Sequence, residues 1–419
     1  MALAETGMEK VQSPSRLRYA VVIGSSLLIM LCAGSVYAWS IFVAPLKTFY
    51  GLTTAQTQLV YGCNLAILAI GLVIMHAVFK RLGPRLTAAI GAVLFGLGYL
   101  TASFSGGNFW AIFIGISLLS GLGMSMGYIT VLTNLVMWLP RNRGLATGIA
   151  VAGFGGGSVL MTLIASPLIN NGVDILVLFR ALGIGYGLLF LLGALLLSAP
   201  SDAYKRSADK SGQVSYRELF KDRRFWVLFY TAFAASFGGL MFYGNAKPLG
   251  ISFGVSSGAA VLAVILMSAG NALGRLSWGQ IHDMIGSRKS VLISLVLVTV
   301  MIPLMMVGIR NDITFVALVL IFGFCFGADQ VLYASNVAVE WGVHKMGVVY
   351  PWVFLSYGVS AIVAPTLGGK IFDISGSYSV AMIISTVVCF TGIPVYYWLM
   401  PRRKKAPAEP VPDKAEFGD

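Results

Sequence analysis

The sequence predicts an all-α membrane protein of twelve transmembrane helices, arranged as two pseudo-symmetric six-helix halves. Three observations lead there. Of 419 residues, 57% are hydrophobic and only 11% charged, whereas a soluble domain carries about a quarter charged residues. Twelve successive segments are long and apolar enough to cross a hydrocarbon core of about 30 Å, which takes roughly 20 residues as a helix. Two sets of loop residues then recur at one fixed offset in the two halves of the chain. The first observation excludes a cytosolic globular enzyme, because so few charges cannot coat a water-soluble surface of this length. The net charge of +13 does not indicate nucleic acid either, since the Lys and Arg residues punctuate apolar runs instead of covering one polar face.

The elements follow in order. Residues 1–18 are polar, and the apolar run after them is too long for a secretory leader, so it reads as a retained first span, 19–45. Spans two and three, 55–79 and 86–104, are separated by Lys80, Arg81 and Gly83-Pro84-Arg85. Spans four and five, 109–138 and 144–169, flank Arg141-Asn142-Arg143, and span six covers 175–198. The one long polar stretch, Ser201 to Arg224, divides the chain into six plus six. Spans seven to twelve are then 225–247, 257–282, 290–309, 314–339, 347–371 and 378–400. The expected organisation is a cytoplasmic N-tail 1–18, a six-helix bundle 19–198, a cytoplasmic central loop 199–224, a second bundle 225–400 and a cytoplasmic C-tail 401–419.

Charge fixes the orientation. With the N-terminus inside, the N-tail, the even-to-odd loops and the C-tail hold 23 of the 29 basic residues. Lys47, Arg180, Lys247, Arg310 and Lys370 fall at the other face. By the positive-inside rule both termini are cytoplasmic, in a cell membrane, and the net charge reports orientation. Arg275 belongs to neither set.

The repeat is specific in register. Gly83-Pro84-Arg85 stands 203 residues before Gly286-Ser287-Arg288, and Trp138 with Gly144 stands 203 residues before Trp341 with Gly347. Each coincidence is weak alone, but a common offset at topologically equivalent loops implies homologous halves with a cleft between them.

Other chemistries find little footing. Cys32, Cys63, Cys325 and Cys389 lie inside apolar runs without metal-ligand spacing, which reads as small buried hydrophobes. His76, His282 and His344 each end an apolar run, so neither a metal nor a cofactor is expected. Gly153-Phe154-Gly155-Gly156-Gly157-Ser158 lacks the Lys of a nucleotide-binding loop, which argues against transport powered directly by ATP. Gly148, Gly153 and their neighbours in span five would instead let helices approach closely and slide.

Two ionisable residues lie deep inside spans, where a charge is expensive and marks function by default. Arg275 precedes Asp283 by eight residues, about 12 Å of helix rise, and Asp329 precedes Glu340 by eleven, about 16 Å. A guanidinium stays protonated and its planar fork matches a carboxylate, so Arg275 is a candidate organic-anion site. Asn271, one turn earlier, would face the same cavity. Asp329 is the remaining buried carboxylate and the candidate for proton coupling, and Tyr333 and Asn336 continue its polar stripe. A structural ion pair between Arg275 and Asp329 is the alternative.

Gly279-Gln280-Ile281-His282-Asp283-Met284-Ile285-Gly286-Ser287-Arg288 resembles the Gly-x-x-x-Asp-x-x-Gly-x-Arg loop of major facilitator superfamily transporters. Leu145-Ala146-Thr147-Gly148-Ile149-Ala150-Val151-Ala152-Gly153 is similar to the fifth-helix signature of the monocarboxylate transporter family. Arg143-Gly144-Leu145-Ala146-Thr147-Gly148, Gly34-Ser35-Val36-Tyr37-Ala38-Trp39 with Pro45-Leu46-Lys47, and Phe225-Trp226-Val227-Leu228 are similar to the bacterial oxalate/formate antiporter branch. The likeness runs along the whole chain. It implies the major facilitator fold, a gating latch at Asp283, Gly286 and Arg288 in which the Asp caps a neighbouring helix end, and Arg275 as the substrate-carboxylate ligand. It also implies a cavity walled by Tyr37, Tyr128 and Tyr350. The chain departs from its relatives in having Lys80 where the first-half loop would carry Asp, and Asn271 where mammalian members carry an acid. Val353 stands where the oxalate branch carries a second cation.

One cation favours a monoanion. The resemblance therefore implies a carrier of small monocarboxylates of the lactate and pyruvate class, moved with a proton by alternating access, with a carboxylate exchanger of the oxalate/formate type as the alternative. Its partners would be the anion, the proton and the lipid bilayer, with no nucleic acid, and the chain would act as a monomer. A polytopic membrane enzyme would cluster Asp, His or Cys near one interface, and a sensor would need an output domain. Neither is visible.

Overall fold

The computed structural model of the protein describes residues 16–139, 143–198 and 214–401. The tails 1–15 and 402–419, Arg141-Asn142 and most of the central loop lie outside them. Twelve helices long and apolar enough to span a membrane run from Leu17–Ile41 to Ser379–Leu399, so the chain is a multi-pass membrane protein. Many outward-facing positions carry bare Leu, Ile and Val, the composition that lipid requires.

The internal repeat is written into the backbone. Spans two and three form one helix, Thr54–Ser103, bent at Gly83 with φ 74° and ψ 176°. Spans eight and nine, Ser257–Ile285 and Ser287–Gly308, bend 203 residues later at Gly286 with φ 84° and ψ 159°, a conformation that only glycine adopts without strain. Thr53 and Ser256 cap spans two and eight, and Asn108 and Asn311 cap spans four and ten, each satisfying exposed N–H groups of a first turn. Arg85 donates to the Leu197 carbonyl and Arg288 to the Met400 carbonyl. Cations thus cap the last helix of each half at its negative end. All four of these pairs are separated by the same 203 residues.

Several spans are irregular where the sequence gives only apolar length. Span one passes from α-helix, Arg16–Gly34, into a 3₁₀ segment, Ser35–Ile41, before Val43–Tyr50. Span four contains a π-helical stretch, Phe113–Ser120, and span ten breaks at Gly327 between Asp312–Phe326 and Ala328–Trp341. Such interruptions commonly mark functional segments.

Part of the polar stretch read as a loop is a short helix, Tyr216–Lys221, capped by Ser215. It forms because Leu219 is buried and Tyr216 and Phe220 pack their rings against Trp352. Span seven, Arg223–Ser252, follows. Asp222 caps it through the Arg224 backbone N–H at 2.8 Å and pairs with the Arg224 guanidinium at 2.7 Å. That guanidinium also reaches Glu340 at 3.3 Å and lies 5.1 Å over the Trp341 ring. Arg18 lies over Trp138 in the same way at the start of the first half. Burial pushes the Asp222 carboxyl up, but the Arg224 hydrogen bonds outweigh it and hold the group below its usual range.

Spans one and five touch backbone to backbone. A methyl at Gly34 would strike the Phe154 carbonyl, and one at Gly157 the Leu31 carbonyl. This contact brings Tyr37 and Phe154 together, ring centroids 5.3 Å apart.

Gly157→Val is expected to lower the unfolding temperature in detergent, because overpacking a close contact costs about 1–3 kcal/mol. Asp222→Ala should cost about 0.5–2 kcal/mol at neutral pH through the lost cap. A carboxyl with a depressed folded-state pKa stabilises fully above its unfolded value and loses that contribution as pH falls through the folded one. The difference between parent and Asp222→Ala melting temperatures should therefore shrink in acid.

Candidate functional site

Spans eight and ten set the two buried charges. Their backbones meet where Gly274 faces the Phe324 carbonyl and Gly327 faces Asn271 and Arg275, so Arg275 and Asp329 start from adjacent helix surfaces. Each is 6% exposed. They do not form an ion pair. Arg275 extends to the first half, where its Nη2 donates to the Tyr37 hydroxyl at 3.5 Å, and its Nε has no protein partner. Asp329 turns to span seven and accepts from Ser236 Oγ at 2.5 Å. The structural pair that the sequence allows is thus absent from this conformation.

An aromatic wall surrounds the guanidinium. The Tyr37 hydroxyl is 2.8 Å from that of Tyr357, and the Tyr37 ring packs on Tyr243 at 4.8 Å. Tyr128 is buried with its ring 5.5 Å from Phe154. The hydroxyls of Tyr37, Tyr128, Tyr243 and Tyr357 lie within electrostatic reach of Arg275. Beside them a cavity of about 10 Å³, lined by Ser236, Asp329, Tyr333, Tyr350, Val353 and Tyr357, has room for about one water molecule. Asn271 Nδ2 and the Tyr333 hydroxyl are buried without protein partners. An unmade hydrogen bond costs about 1–3 kcal/mol, and Arg275 Nε and Asn271 Nδ2 bring free donors to this site.

The structure brings Arg275, Tyr37, Tyr128, Asp329, Tyr333 and Tyr350 into one region, with Asn271 on the same helix. Sequence reasoning missed Tyr243, Tyr357, Phe154 and Ser236. Tyr357 was recoverable, since it follows Tyr350 by two helical turns; Ser236 carries no sequence signal. Asn336 does not continue the stripe into the cavity. It accepts from Tyr396 at 2.9 Å and from Ser287, and donates to the Leu332 carbonyl, which makes it a strut between spans. Tyr396 is correspondingly buried, whereas Tyr397 and Trp398 face outward.

The latch contact expected of Asp283 is not made in this conformation. Its side chain is 84% exposed and touches only His282, at 3.3 Å, so it caps no helix in this conformation. Gly286 makes the turn, and Arg288 is committed to the carbonyls of Met400 and Tyr397. Gly153 meets span one at Met30, and Gly148 lies in the same helix, Arg143–Asn170.

The closed end is the opposite one. Asp373, from span eleven, accepts from the backbone N–H groups of Thr54 and Ala55 at 3.1 and 2.9 Å and pairs with Lys47 at 3.2 Å. Gln58 donates to the Gly244 carbonyl at 2.6 Å, and Ser158 meets Ser268 at 2.6 Å. Among the described residues, every hydrogen bond between the halves lies between Arg275 and the face opposite the termini.

A family model described as Major Facilitator Superfamily matches residues 25–365 and 248–417. The chain belongs to the major facilitator superfamily. It is a transporter and not an enzyme. Among similar superfamily members, the oxalate:formate antiporter of Oxalobacter formigenes is 25% identical over 391 residues, covering 92% of each chain. Monocarboxylate transporter 13 of Rattus norvegicus is 24% identical, covering 89% of this chain and 87% of its own. Apicoplast pyruvate carrier 1 of Toxoplasma gondii is 21% identical, covering 94% and 90%.

Asp373→Asn should loosen the closed end of this superfamily member. Hydrogen bonds to a charged group contribute about 1.5–3 kcal/mol, enough to change the closed population about tenfold or more. A Gln58→Cys reporter, in a background carrying Cys63→Ser, should then react faster with a membrane-impermeant maleimide.

Proposed function

We propose that the chain carries small monocarboxylates of the lactate and pyruvate class together with a proton, by alternating access between the bundles 19–198 and 225–400. One observation carries the reading: a buried guanidinium with no carboxylate partner, walled by tyrosine rings. Such a group presents charge-assisted donors to a carboxylate, while the rings accept its apolar part. Val353 lines the small cavity at Asp329 and brings no second cation there, which favours a monoanion. The names of the oxalate:formate antiporter, the pyruvate carrier and the monocarboxylate transporter support the same substrate class.

Asp329 supplies the proton site in this reading. An arriving carboxylate occupies Arg275, removes the guanidinium's influence and favours a protonated Asp329. Anion and proton together add no net charge, so the loaded site crosses the membrane without an electrostatic penalty. With both termini cytoplasmic, as the distribution of basic residues supports, the clasp at Asp373 closes the extracellular side and the described conformation faces inward. Exchange of two carboxylates is the second reading, favoured by the likeness to the oxalate:formate antiporter.

Proteoliposomes with an imposed inward proton gradient should accumulate labelled lactate, and Arg275→Gln should reduce uptake about 100-fold, the equivalent of about 3 kcal/mol lost from a charge-assisted contact. Uptake indifferent to the gradient, or surviving that substitution, would overturn the reading. Asp329→Asn should abolish substrate-driven proton uptake while leaving lactate exchange measurable; counterflow without proton movement in the parent protein would favour the exchanger.

A further inference from the structure

Three formally charged side chains are buried among the described residues: Arg275, Asp329 and Lys247, each 6% exposed. The first two have hydroxyl partners from Tyr37 and Ser236. Lys247 has neither a hydrogen-bond partner nor a carboxylate within ion-pair distance. The acids of the same face are engaged elsewhere. Asp373 holds Lys47, Thr54 and Ala55; Asp312 holds Ser256; and Asp174 holds Tyr50 and the Leu176 backbone N–H. Among the described residues the protein thus supplies Lys247 with no counter-ion.

Its place on span seven says where. Lys247 follows Tyr243 by four residues and Gly244 by three, so the three share a helix face. Tyr243 packs on Tyr37 across the seam, and Gly244 presses on Gln58 and Pro365. That face looks into the closed seam between the halves, not into lipid, where a lone Lys could satisfy itself by reaching for the interface.

We propose that Lys247 is a second anion-recognition residue, a staging point that receives the carboxylate on the outer side before it reaches Arg275. This inference rests on the carboxylate-carrier reading. Tyr243 bonds to the Met267 carbonyl at 3.0 Å, which levels the two helices. From there Lys247 stands one turn outward and Arg275 eight residues inward, together about 18 Å of helix rise. A small carboxylate cannot bridge that gap. The two cations act in sequence, with Lys247 raising the local concentration of anion as the seam parts.

The test is lactate uptake by proteoliposomes containing the parent, Lys247→Met or Lys247→Arg, at low and high ionic strength. Lys247→Met should raise the external KM about fivefold or more, within the range of electrostatic steering, keep kcat within about twofold, and flatten the salt dependence. Lys247→Arg should keep the parent profile. A kcat loss with unchanged KM, or no change at all, would overturn the staging role. As a second measurement on the parent protein, a membrane-impermeant amine-acylating reagent should modify Lys247, read by mass spectrometry, and external lactate should slow that modification; modification indifferent to lactate overturns the proposal even if Lys247→Met does not fold. Loss of transport in Arg275→Gln with Lys247→Met behaving like the parent removes only this inference, whereas transport surviving Arg275→Gln removes the reading beneath it.

Discussion

A guanidinium held out of water without a carboxylate beside it is the constraint around which the middle of this molecule is built. Such a charge is tolerated only when other polar groups surround it, and here that duty falls on tyrosine hydroxyls from both halves. Tyr37 reaches Arg275 because span one changes to a tighter helical winding at Ser35–Ile41 and because glycines bring spans one and five into backbone contact. Asp329 stays clear because span ten breaks at Gly327 and turns its carboxylate to Ser236. Had the two charges met, they would have neutralised one another, and a carboxylate would find no vacancy.

Much of the architecture was legible from the sequence. Twelve apolar lengths and the offset of 203 residues required only composition and register, and they agree with the positive-φ glycines, helix caps and closing arginines. Arg275 and Asp329 were legible for the same reason: a charge stands out against an apolar run. What the sequence withheld is directional. Nothing in the stretch around Asn336 reveals that its side chain meets Tyr396 rather than the cavity, because a helical stripe gives a face but not the neighbour opposite. Asp283 is silent here for a different reason. A latch residue has its partner in only one of two conformations, and a sequence does not say which one is populated. Tyr243 and Ser236 belong to a helix buried on nearly all sides, where periodicity loses its meaning.

The two halves also differ in ways that the repeat conceals. Arg85 and Arg288 do the same work, but the loop acid exists only in the second half, where Asp283 stands against Lys80 in the first. Among the described residues the buried charges sit in the second half alone, while hydroxyls and rings come from both. Duplication therefore supplied the frame, and divergence placed the charge in one half while both halves shield it.

The arginine ties at Leu197 and Met400 have a mechanical consequence. Each binds the last helix of a half to the start of its third, so each half is laced shut at the end that bears the termini. The bonds across the seam cluster at the other end. A rotation that parts them leaves the arginine ties within each half in place. Each half keeps its own ties through such a rotation, which is how a body of some four hundred residues can move as two pieces instead of softening as one.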